Sequence, residues 1–134
     1  MDRKTARVCA MKLVYEAEMG GLGGEDTCRG LLEIEPGEKE YEFMQKLAEG
    51  VAREKDALDS VIESFANGWT VKRMSRVDLS ILRLATYEFK YTKTAPAIVI
   101  NEAVEMAKQY SGEKAARFIN GVLGSISRSA AEEE

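Results

Sequence analysis

Along residues 3–19, Ala6, Cys9, Ala10, Leu13 and Ala17 recur at steps of three and four, which lines one face of a helix. The cluster Gly20, Gly21, Gly23 and Gly24 ends that pattern. Residues 25–33 fit a short second helix, punctuated by Glu35, Pro36 and Gly37. A long helix follows from about Lys39 to Ala66, striped by Met44, Leu47, Val51, Leu58, Ile62 and Phe65, with a polar gap at Glu54 and Lys55. Asn67 and Gly68 both tolerate the left-handed conformation and supply its C-terminal cap. Trp69 opens a connection, where we place the boundary between an N-terminal helical lobe (1–68) and a C-terminal one (69–134), together one compact domain.

Beyond the boundary, Ser75 suits an N-cap, and Asp78 places a negative charge in the first turn, where the helix dipole favours it. That helix reaches about Tyr91, with Val77, Ile81, Leu84, Ala85 and Phe89 on its apolar side. Thr94, Ala95 and Pro96 break it. Residues 98–110 form another helix, striped by Val99, Ala103, Val104 and Ala107. The run Ala97 to Ile100 has strand character, but no second convincing strand is available to pair with it. After a turn at Ser111 and Gly112, a last helix uses Ala115, Ile119, Val122, Leu123 and Ile126, and frays into Glu132, Glu133 and Glu134. The predicted fold class is all-α, with about six or seven helices in two small lobes.

Composition narrows the function classes. In 134 residues, 45% hydrophobic content suffices for a core, and only Pro36 and Pro96 interrupt helix formation. No apolar run approaches the ~20 residues of a membrane span. Asp2, Arg3, Lys4 and Arg7 break up any leader-like stretch. Cys9 and Cys28 are isolated and read as reduced thiols, so a cytoplasmic protein away from membranes is expected. The net charge is −4, unlike a general nucleic-acid binder, but it is uneven. Residues 1–15 carry +3, residues 16–64 carry −9 and residues 65–93 carry +4. Charge alone favours a mixed solvated surface over a local anion-binding one.

Candidate chemistry is sparse. Without histidine, histidine-dependent triads and imidazole metal sites are excluded. The two cysteines lack paired ligands, and the glycine cluster lacks the Lys-Ser or Lys-Thr of a phosphate cradle. No catalytic residue, metal or cofactor is expected, and the chain reads as a non-enzyme. The first helix says more. Opposite its core stripe lie Lys4, Val8, Met11, Lys12 and Tyr15, flanked by Arg3 and Arg7. Cations with an aromatic suit RNA. A helix packed on two sides, with Val8 and Met11 in the core, accounts for the pattern equally well.

Glu88 shares a stripe with Val77, Ile81 and Ala85 and must be hydrogen-bonded there. Catalysis is one reading. A structural anchor receiving N–H groups from the helix start after Pro96 is favoured over it. Asn120, beside Gly121 and next to the core stripe of the last helix, reads as a satisfied structural amide at a close helix crossing.

Three blocks in order, VDLSILRLATYEFKY (77–91), PAIVINEAVEMAKQY (96–110) and ARFINGVLGSISR (116–128), resemble the C-terminal half of the NusB family. ARVCAMKLVYE (6–16) is similar to that family's basic first helix, while residues 20–40 match nothing specific. The resemblance implies a NusB-like fold and a transcription antitermination factor. Such a factor binds boxA-type RNA together with the ribosomal protein NusE, within the RNA polymerase antitermination complex on ribosomal RNA operons. Carried onto this chain, the family's RNA contacts fall on Arg3, Lys4, Arg7, Tyr15, Tyr110 and Lys114; Lys12 joins them from the helix pattern. The basic cluster is thinner than in Arg-rich members, and Gly124 stands where an acid is common. Two alternatives stay open: an RNA-binding module of the ribosomal RNA methyltransferase type, and a protein-only module that self-associates as a homodimer.

Overall fold

The computed structural model describes residues 1–21, 25–30 and 32–132. Its helices are α1 (Arg3–Glu18), α2 (Glu25–Gly30), α3 (Tyr41–Phe65), α4 (Arg76–Tyr91), α5 (Pro96–Tyr110) and α6 (Glu113–Glu132), with a 3-10 turn at Val71–Arg73. The fold is all-α, as expected, and the described residues contain no strand. Gly23, Gly24, Leu31, Glu133 and Glu134 lie outside the described residues, so the glycine cluster, the second helix and the C-terminal fraying are described only in part.

The ends follow local chemistry. Asp2 caps α1 by accepting from the Thr5 N–H at 2.7 Å, and Ser75 caps α4 by accepting from the Asp78 N–H at 3.1 Å. Asn67 and Gly68 take φ of 48° and 89° after α3, the left-handed geometry expected of its cap. The second and third helices differ from expectation: α2 stops at Gly30 and α3 begins at Tyr41. The α5 helix starts two residues earlier than its apolar stripe suggested, because Pro96 sits in its first turn, where a missing N–H has no cost.

The packing centres on α4. It lies against α1, α3, α5 and α6, and every residue from Leu79 to Glu88 is buried. An amphipathic reading of its sequence therefore underestimates its enclosure: Ser80, Arg83, Thr86 and Glu88 are inside as well. The crossing of α3 and α4 is close at Gly50, where an added Cβ would strike the Tyr87 ring. One set of buried apolar side chains, from Ala6 to Ile126, includes members of α1 and α3–α6.

Charges tie the C-terminal end of α1 to α3 and α4. Arg83 donates from Nε and Nη2 to the two Asp59 carboxylate oxygens at 2.7 and 2.8 Å, and from Nη1 to Glu18 Oε2 at 2.8 Å. Arg76 donates to Glu18 Oε1 at 2.9 Å, and Lys55 stands 3.6 Å from Oε2. Lys55, half of the polar gap in α3, thus faces a carboxylate. The hydrogen bond from Arg83, helped by that residue's charge, by Arg76 and by Lys55, holds the Glu18 carboxyl down at about 2.

Two predictions follow from this packing. Gly50→Ala should destabilise the fold by ~1–3 kcal/mol through overpacking against Tyr87, although alanine is the better helix former. Urea titration checks the sign. Because the folded-state pKa of Glu18 is depressed, its contribution is complete above about pH 4.5. It should fade as pH falls toward 2, amounting to about 3 kcal/mol on an order-of-magnitude scale. Thermal unfolding of Glu18→Gln against pH should show a shallower acid loss than the parent.

Candidate RNA interface

The first helix is packed on two sides. Met11 is buried beside Leu13 and Val14, and Val8 is half-buried against the core. The second of the two readings of its pattern is therefore the correct packing, and it leaves a narrower outward strip.

Arg7 leaves that strip entirely. It is 5% exposed and donates from Nε to both Glu88 oxygens, at 3.2 and 3.0 Å, and from Nη2 to Oε1 at 3.1 Å. This corrects two expectations. Arg7 is not a surface cation for phosphate, because its guanidinium is engaged in the interior. Glu88 is 2% exposed, and the group it meets is the Arg7 guanidinium and not the start of α5. A fork of charged donors satisfies a buried carboxylate better than backbone N–H groups can, and the arginine needs the carboxylate equally. Asn120 is also corrected. It is exposed on α6, and a Cβ at Gly121 would meet nothing within 4 Å, so no helix crosses there.

The remaining candidates reach the surface. Lys4 is exposed and borders a shallow hollow of mixed charge with Val8 and with Glu102, Glu105 and Lys108 of α5. Lys12 is exposed, with Nζ 5.4 Å from the centre of the Tyr110 ring, so the fold joins residues 98 positions apart in the chain. Tyr15 is 36% exposed, Tyr110 is half-buried at the end of α5, and Lys114 is exposed just inside α6. Arg3 donates from Nε to Glu40 at 2.7 Å, with its guanidinium 3.9 Å above the Phe43 ring, so it faces α3.

Beyond the α5–α6 turn, Lys114 lines a hollow of about 600 Å³ together with Trp69, Arg73, Asp78 and Phe118. The Trp69 and Phe118 rings are 5.9 Å apart, and Arg73 stands 5.3 Å from the indole centre. Trp69 is 46% exposed. Sequence reasoning treated it as a mere connection. Its signal was available, since a large ring in a polar linker beside Lys72 and Arg73 is unusual for core packing. Exposed rings flanked by cations can stack on bases while the cations meet phosphates.

The model of the NusB family matches residues 4–128. The chain belongs to the NusB family. The transcription antitermination protein NusB of Clostridium botulinum is 39% identical over 140 residues, covering 94% of this chain and 99% of that protein. A chain in the structure of a plectonemic RNA supercoil superposes with a TM-score of 0.90 at 31% identity, covering 98% of both chains. Another, in the structure of the antitermination factors NusB and NusE in complex with double-stranded RNA, gives a TM-score of 0.85 at 30% identity, covering 95% of this chain and 96% of the other.

The internal pair gives a prediction about this NusB-family fold. Glu88→Ala would leave the Arg7 charge buried and unpaired, which should cost ~3–5 kcal/mol. Glu88→Gln should be milder, because one amide oxygen still accepts. Replacing both partners with apolar residues of similar volume should restore most of the stability. Denaturant midpoints of the single and paired variants provide the check. A Glu88→Ala protein as stable as the parent would remove the pair as the anchor of α1.

Proposed function

We propose that this chain is a transcription antitermination factor that binds boxA-type RNA together with NusE, as part of the RNA polymerase antitermination complex on ribosomal RNA operons. The observation that carries this reading is the joining of Lys12 on α1 to Tyr110 at the end of α5. A cation and a ring from sequence-distant elements meet there, with Lys114 following just inside α6, which suits a single strand with unstacked bases. The family membership and the NusB–NusE–RNA structural relative support it. The RNA-contacting set is Lys4, Lys12, Tyr15, Tyr110 and Lys114, with Arg3 at the edge. The protein acts by binding and not by catalysis, in the cytoplasm.

Fluorescence titration of a boxA-type oligonucleotide, with and without NusE, tests the proposal. Each phosphate neutralised on a single strand adds a log–log salt slope of roughly −0.7. Lys12→Ala combined with Lys114→Ala should therefore flatten the slope by up to roughly 1.4 and weaken binding. Tyr110→Phe should bind nearly as the parent does, since the ring remains. An unchanged affinity and slope in the double lysine variant would move the RNA to another face.

A further inference from the structure

Near the N-terminal end of α1, a further hollow of about 460 Å³ lies between α1, α3 and the end of α4. Arg3, Lys46 and Lys93 bring three cations from three separate parts of the chain to its lining, and no carboxylate lines it. The aromatic side is built from Phe43, Tyr87 and Tyr91. Tyr91 is 47% exposed, yet it is held in place: its ring centre is 4.9 Å from that of Tyr87, and its hydroxyl donates to Glu54 Oε2 at 3.4 Å. Tyr87 in turn rests on Gly50, so the exposed ring stands on a fixed base. A large exposed aromatic that is already ordered loses little freedom on binding.

We propose that this hollow is a second RNA subsite, which takes nucleotides flanking those held at Lys12, Tyr110 and Lys114. A base stacks on Tyr91, and its neighbouring phosphates meet Lys46 and Lys93, with Arg3 at the junction. The subsite rests on the RNA-binding reading above and extends it. Arg3 and Lys4 straddle the first turn of α1, and Lys12 lies eight and nine residues further along. At 1.5 Å per residue the two sites lie roughly 12–14 Å apart along α1, and the surface between them beside Lys4 is mixed, with Val8, Glu102, Glu105 and Lys108 lining it. The hollow adjoining Arg3 and Lys46 on the other side carries Glu38, Glu40 and Glu42, which repel a phosphate chain, so the strand leaves toward Lys93. An acidic protein segment would satisfy the cations, but it offers no flat π-face for the exposed tyrosine.

The test uses the full chain with NusE and two RNAs, the boxA-type element alone and the same element extended by several nucleotides at each end. The parent should bind the extended RNA more tightly than the short one. Lys46→Ala combined with Lys93→Ala should abolish that gain, flattening the salt slope for the extended RNA by up to roughly 1.4 while leaving the short RNA unaffected. Tyr91→Ala should weaken the extended complex by about tenfold, and Tyr91→Phe should restore it. These are surface positions, and circular dichroism verifies that the variants fold. If the parent binds both RNAs equally, or the lysine variant loses only NusE affinity, the subsite is overturned while RNA binding stands. If the parent binds neither RNA, the proposed function falls and the subsite with it.

Discussion

The buried ion pair between Arg7 and Glu88 is the constraint on which the arrangement of α1 depends. Either charge alone inside the protein would be strongly unfavourable, so each requires the other, in one geometry. That requirement fixes the rotation of α1 on α4. Once Arg7 points inward with Ala6, Ala10 and Met11, the positions left outside include Lys4, Lys12 and Tyr15. An internal charge that does not meet RNA thus decides which surface charges can.

The same logic extends through α4. A helix enclosed by four others must pair its buried charges internally, and it does so with two separate guanidinium–carboxylate systems. Arg7 with Glu88 secures one part of α1, and Arg83 with Asp59 and Glu18 secures its C-terminal end. Two attachment points near opposite ends of α1 make it a rigid platform. A rigid platform lowers the ordering cost of binding a flexible single strand.

The antitermination reading and the subsite at Tyr91 share a principle of construction. In both places a tyrosine near a helix C-terminus stands beside lysines drawn from other parts of the chain. Neither set is visible as a basic run, and the overall charge remains negative. Local convergence of a few cations can create an anion-binding face on a chain whose net charge is negative.

The helices were legible in the sequence because apolar spacing and capping are local properties. Ser75 and Asn67–Gly68 announced their caps, and the motif order of the last three helices carried the family resemblance. The sequence also marked Glu88 as internal, since a carboxylate on an apolar stripe has no other tolerable place. It could not name the partner of that carboxylate. Arg7 lies 81 positions away at the flank of a helix whose pattern fits packing on one side or on two, and only the docking of α1 on α4 decided that this flank turned inward. Asn120 misled for the converse reason: its neighbour Gly121 suggested a crossing, but both residues face the open side of α6. Local chemistry determined the elements, and the tertiary fold alone decided which charges became structure and which remained to meet a ligand.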